Sequence, residues 1–334
     1  MSSVSLGDLA KSFMLRRHNV SLKQDLQRLT TELTTGKVSD TAQHVSGDLM
    51  QLSGIDGSLA RLKGFNAITN EAGVFASAMQ TALGTIDRLS SDLSSSLLIA
   101  TAGAADGRID AVGAEARQKL ETALSVLNTR FGDRSLFAGV QTSNAAVADV
   151  ETVLTALDSA VSGAVSAADV ETAVSAWFDN PTGYAATGYL GGGKLAPLAI
   201  GAGESAQLDV TANDPAIRNN LKALATAAML SRGVLAGQPE ARKDLARRAG
   251  SALLENQTDR TYLAARLGVA EAQIGSAATR NANELASLQS ARNDIVSADP
   301  YETASKLEET QTQLEKIYTI TARLSRLSLV DYLR

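Results

Sequence analysis

Two glycine runs carry the spacings in this chain that most resemble chemistry. Gly188 to Leu195, GYLGGGKL, has the Gly, four residues, Gly and Lys of a phosphate-binding loop. Such a loop cradles phosphate with backbone N–H groups, needs a Ser or Thr after the lysine to hold magnesium, and needs a helix behind it. Here Leu195 stands in the hydroxyl position and Pro197 blocks the helix. Gly201-Ala202-Gly203-Glu204-Ser205-Ala206 imitates a dinucleotide fingerprint, but the alternating Leu208-Asp209-Val210-Thr211 behind it is a strand pattern. An anion there would meet no helix N-terminus, so both runs predict turns. The chain has no cysteine, which excludes a thiolate nucleophile or metal site, and His18 and His44 are its only histidines. The carboxylates form no distinctive pair. Neither catalysis, a cofactor nor a metal is expected.

The elements around these runs have an unusual composition. Hydrophobic residues make up 44% of 334, yet aromatics only 4%, so the apolar content is chiefly Ala, Leu, Val and Ile, which suits close helix packing. A net charge of -5 leaves no basic footprint for nucleic acid. No run of about 18 apolar residues is present, so membrane insertion is not expected. The N-terminus lacks the apolar run and cleavage site of a secretory signal.

Proline divides the sequence. None precedes Pro181, four fall between 181 and 239, and the last is Pro300, so long helices are allowed on both flanks. The C-terminal stretch opens on Asp299 as N-cap, Pro300 as first helical residue and Glu302 as third. Leu307, Leu314, Ile317, Ile320, Leu324 and Leu327 then recur at spacings of three, four and seven, along one stripe. At the other end Leu15, Leu22 and Leu29 are seven apart, Leu26 and Leu33 fall between, and Asn19 takes a core position where a polar residue fixes register. The two stripes predict complementary coiled-coil helices, though ordinary packing in a helical bundle fits the same periodicity. They offer little apolar area against the entropy of ordering both segments, so the termini are expected to fold against neighbouring subunits.

Between them, Gly36 offers a helix end and 39–46 a polar connection. Long helical patterns cover about 48–105 and 240–297, with shorter ones at 111–129, 150–161 and 170–178, and another opening at Asp214-Pro215. FGDRSLFAGV (131–140) reads as a turn with a short strand or hairpin. Seven glycines between Gly183 and Gly203 argue against helix there, and Lys194 to Ile200 with Ala206 to Thr211 read as a hairpin closed by 201–205. The expected fold is mainly α. A long antiparallel helical rod (46–140 with 215–298) carries paired N- and C-terminal coiled-coil helices (1–45 with 299–334) and a small α+β inserted domain (141–214) containing a β-hairpin.

Helical termini enclosing a glycine-rich insertion, without cysteine, resemble the bacterial flagellin family. LQRLTTELTTGKVSD (26–40), Asn66, RLGVAEAQI (266–274) and ADPYETASKLEETQTQLEKIY (298–318) are similar to its conserved terminal segments. SLFAGVQT (135–142) and LSLVDYL (327–333) resemble the hook-associated members that join hook to filament, and Asp40-Thr41-Ala42 departs from the paired Asp of filament flagellins. The resemblance implies a structural protein, not an enzyme, secreted unfolded through the flagellar type III export apparatus with an export chaperone. It implies self-association in a ring at the hook-filament junction, between a neighbouring hook-associated protein and flagellin, with the terminal stripes as assembly interface. A flagellin of the filament itself, or a secreted helical adhesin, are the competing readings.

Overall fold

The computed structural model describes residues 6–102 and 107–332, with side chains over 10–102 and 107–323. It is 75% helical, so mainly α as the composition predicts. The chain divides into two compact units, one of residues 1–61 with 283–334 and one of residues 62–282.

In the terminal unit, helix α1 (Leu6–Thr35) packs against helix α10 (Pro300–Tyr332). The glycine reading of the α1 end holds: Gly36 has φ +66°, and its N–H donates to Glu32 O at 2.8 Å. A left-handed residue just past a helix turns the chain away while satisfying a late carbonyl. The chain then meets its other end. Lys37 pairs with Ser297 in an antiparallel bridge, Val38 N–H donates to Val296 O (3.0 Å) and Ala298 N–H to Gly36 O (3.0 Å). This short ladder fixes where α10 starts. Asp299 caps it as expected, its Oδ1 accepting from the N–H groups of Tyr301 (2.8 Å) and Glu302 (3.1 Å). The polar connection after Gly36 holds one short helix, α2 (Thr41–His44), capped by Asp40. Helix α3 (Met50–Thr101) then begins, and Asp56 at its start accepts from Arg292 Nε at 2.6 Å.

The second unit holds the continuous apolar core, to which α3 contributes Met79, Leu93 and Leu97, all fully buried. Helix α4 (Gly107–Leu127) leads to a two-residue hairpin, β1 (Arg130–Phe131) with β2 (Arg134–Ser135), turning on Gly132. Leu136 and Phe137, expected within a strand, follow that hairpin as buried residues. Helices α5 (Val150–Val161) and α6 (Ala167–Asp179) pack on one another. The glycine-rich segment expected to contain no helix includes one π-helical turn, Tyr184–Gly188. Its Tyr184 is fully buried, donates to Ala212 O at 2.9 Å and stacks on Phe178.

The predicted hairpin exists with shorter strands: β3 (Leu198–Gly201) pairs antiparallel with β4 (Glu204–Ala206). Residues 194–197 lie outside it. Leu208 and Val210 are buried without a ladder partner, so their alternation reflects packing and not strand pairing. Helix α7 (Pro215–Ala228) opens on Asp214 as the Asp-Pro pair predicts, and a 3-10 turn, Met229–Arg232, extends it. The pattern expected to run unbroken over 240–297 is two helices, α8 (Pro239–Glu255) and α9 (Gln257–Val296). Asn256 divides them, its side chain donating to Asn219 O at 3.1 Å. Just beyond the break Arg260, 7% exposed, donates to Asp87 (2.8 Å), Asn220 Oδ1 (3.0 Å) and Leu253 O (2.9 Å), joining α3, α7 and α8 to α9.

Exposed carboxylates hold the starts of α5 and α6. Asp149 caps α5, and hydrogen bonds from the Thr152 N–H and hydroxyl keep it below the usual carboxylate range. Asp169 is lowered by the Ser166 hydroxyl and the Val165 N–H. A carboxylate lowered in the folded state stabilises it above the unfolded pKa of about 3.9, and that contribution is lost as pH falls through the folded value. Acidification from about pH 5 to 2 is therefore expected to lower the melting midpoint of this unit, read by fluorescence of Trp177, the only tryptophan. A D149N/D169N variant should show a flatter acid dependence than the parent; an unchanged slope would remove the two carboxylates as its source.

Candidate assembly interface

The expected stripe of α1 faces α10 in the order its spacing implies. Leu22 and Leu29 are buried, at 6% and 3% exposure; Leu15, Asn19 and Leu26 are half-buried; Leu33, nearest the helix end, is exposed. On α10, Ile317 is buried and Leu307 and Leu314 are half-buried. Ile320 is 47% exposed and stands outside the paired stripe. Leu324 and Leu327 lie where only the backbone is described.

The pairing is antiparallel. The end of α1 meets the start of α10 through the Gly36–Ala298 bond, while Lys23 lies 5.9 Å above the Tyr318 ring. Buried positions along α10 are Thr303, Thr310 and Ile317, seven apart, with Leu307 and Leu314 between them. The next positions of these two series would be 321 and 324, so Ile320 belongs to neither. Apolar pattern alone misses the two threonines. Thr310 satisfies its hydroxyl locally, donating to Lys306 O at 2.7 Å, so its methyl can face the partner helix.

Glu32 is a second residue that periodicity does not reveal. It is 7% exposed on α1, and its Oε1 accepts from the Ser39 N–H at 2.9 Å while Arg28 reaches both oxygens. Asp25 completes the cluster at 3.1 Å from Arg28, and its hydrogen bond, with the Glu32 charge, raises the guanidinium pKa further above the usual range. The carboxylate ties the helix to the backbone after Gly36. The spacing of Asp25, Arg28 and Glu32 is the signal for the ion cluster; the Ser39 contact has none.

The glycine runs serve backbone packing. Gly192 N–H donates to Ala138 O (2.8 Å) and Val140 N–H to Gly193 O (2.9 Å), which lays one run against 138–140. Gly203, φ +75°, turns the β3–β4 hairpin. A cleft of about 160 Å³ between α6, α7 and α8 is lined by charges that already pair: Lys222 with Asp179 at 2.7 Å, Arg248 with Glu171 at 3.0 Å. Among the described residues no group of three His, Cys, Asp or Glu could hold a metal, and no helix is long and apolar enough to cross a membrane.

Comparison with known proteins bears on the terminal helices directly. Residues 252–333 match the model of the bacterial flagellin C-terminal helical region, a span that includes RLGVAEAQI and the α10 segment; the N-terminal segments lie outside it. No curated protein sequence matches the chain. Among solved structures, a flagellar hook-associated protein from Vibrio parahaemolyticus aligns with a TM-score of 0.51 at 13% identity, over 73% of this chain and 96% of that one. Bacillus cereus FlgL aligns with a TM-score of 0.50 at 14% identity, over 71% and 98%. At such identities the likeness is one of fold. Residues 252–333 are thus similar to the bacterial flagellin C-terminal helical region, and the fold as a whole is similar to that of a flagellar hook-associated protein.

Proposed function

We propose that the chain is a structural subunit of the bacterial flagellum that joins hook to filament. The observation that carries this reading is a fold that accounts for 96% of a hook-associated protein in a chain whose residues 252–333 match flagellin. The paired α1 and α10, residues 1–45 with 299–334 in the functional division, are the assembly part: their stripes hold the pair together, and the pair packs with neighbouring subunits in a ring. Residues 46–140 with 215–298 are the supporting helices, and 141–214 the part that varies. Partners on this reading are a neighbouring hook-associated protein on one side and flagellin on the other. Delivery is through the type III export apparatus with a chaperone, and the location is the hook-filament junction outside the cell.

Deleting the gene in its source bacterium tests this. The expected result is cells with hooks but no filaments, and flagellin lost to the medium. The flagellin match itself supports one other reading, a subunit of the filament. Deletion would then remove a bulk filament protein without releasing another flagellin, and unchanged filaments and motility would overturn both.

A further inference from the structure

Charge is unevenly distributed along the paired termini. The half of the pair formed by residues 10–24 of α1 and 314–323 of α10, where Lys23 meets Tyr318, carries Lys11, Arg16, Arg17, Lys23, Lys316 and Arg323 against the single carboxylate of Glu315. None of these six cations makes an ion pair with a described residue. The other half, residues 25–40 and 297–313, carries seven carboxylates against three cations. Arg28 is spent on Asp25 and Glu32, and Lys306 on Glu302, which leaves Glu308 and Glu309 exposed without a cation. Glu309 accepts only from Gln313, at 3.1 Å.

Each half also exposes large side chains turned away from the pairing. The basic half shows Phe13, Met14 and Val20 at 64%, 70% and 55% exposure, and the acidic half shows Tyr301 at 86%. Phe13 and Val20 are seven apart, on the face of α1 opposite Leu15 and Leu22. An amphipathic face ringed by cations and a carboxylate-rich face bearing an aromatic ring are complementary, and both are present on one chain.

We propose that the occupant of the basic, apolar face is the acidic half of the paired termini of a second copy of this chain, docked head to tail. Because the two faces differ, the contact is heterologous: each copy offers one face to the next and repeats into a ring or helical stack instead of closing as a dimer. Opposite charges meeting across it set the direction of stacking and disfavour head-to-head encounters, in which cations would face cations. The proposal rests on the termini being the assembly part, and adds which faces meet.

Sedimentation of the full chain with two charge-reversal variants tests it. The parent should self-associate at about 50 mM salt and at least about tenfold more weakly at 500 mM, where the Debye length falls well below 10 Å. R16E/R17E and E308K/E309K should each lose self-association by about tenfold or more while keeping parental helicity. An equimolar mixture of the two should recover it, because the reversed basic face of one then matches the reversed acidic face of the other. Self-association that is indifferent to salt and to either reversal would overturn the charged contact while leaving terminal assembly standing. A parent that stays monomeric but binds phosphatidylserine vesicles over phosphatidylcholine vesicles through Arg16 and Arg17 would overturn it in favour of an anionic lipid surface. Loss in both variants without recovery in the mixture would also overturn the pairing.

Discussion

Replacing Gly139 with alanine is expected to destabilise the second unit by about 3 to 5 kcal/mol, one of the largest effects available to a single methyl group in this chain. Gly139 sits at φ +58°, in the left-handed region, and a Cβ there would lie 2.1 Å from Gly193 O and 2.8 Å from Gly192 O. These are backbone atoms, so no rotamer change relieves the clash. Separation of the two segments is opposed by the bonds on either side, Val140 N–H to Gly193 O and Gly192 N–H to Ala138 O. Nor can the segment shift bodily, since Phe137 is fully buried and its carbonyl accepts from the Ala212 N–H at 2.9 Å. The measurement is a urea unfolding curve followed by Trp177 fluorescence. Gly193→Ala is the control: its added Cβ meets nothing within 4 Å, so its midpoint should move by less than about 1 kcal/mol equivalent. Equal midpoints for the two variants would refute the close approach at Gly139.

Gly139 also shows where sequence reading stops. Both features that meet there are legible one at a time: the segment 131–140 that contains the glycine, as a turn with a short strand or hairpin, and the run Gly188 to Leu195, as a turn. That the two meet is a tertiary fact, and no local spacing encodes it. The helix starts at Asp214-Pro215 and Asp299-Pro300 were legible because capping is local, a side chain bonding N–H groups two or three residues ahead. The bounds of β3 and β4 were not, because alternation at 208–211 reports which side chains are buried and says nothing of whether the backbone is paired. The break at Asn256 is hidden for a similar reason: no proline or glycine marks it, and the contact that holds it is to Asn219, thirty-seven residues away. In the terminal helices the apolar heptads located the pairing, while Thr303, Thr310 and Glu32 stayed hidden because an apolar pattern does not count them; Thr310 and Glu32 satisfy their polar atoms through a neighbouring backbone or charged group.

Hydrogen exchange in the dilute chain is expected to be faster in residues 10–33 and 303–323 than in 76–97 by about 100-fold or more, and to slow toward the latter on assembly. The reason lies in how differently the two units are filled. The continuous apolar core runs from Ala72 to Ala277 and belongs wholly to the second unit. In the terminal unit, the described apolar residues that reach full burial are Leu22, Leu29, Leu59, Val296 and Ile317, and the remaining buried positions of the helix pair are Thr303, Thr310 and Glu32. Two helices of 30 and 33 residues joined along so narrow a seam must recover most of their ordering entropy elsewhere. Packing Phe13, Met14 and Val20 against another subunit would remove from water the large side chains that the isolated pair leaves exposed. A 100-fold difference corresponds to about 2.7 kcal/mol in local opening free energy, well within what burial of a few such side chains supplies. Peptide-resolved exchange followed by mass spectrometry, on the dilute chain and on the assembled form, makes the comparison within one molecule. Equal protection of the terminal helices and the core in the dilute chain would show that the seam suffices alone, and assembly would then dock a preformed pair instead of completing its folding.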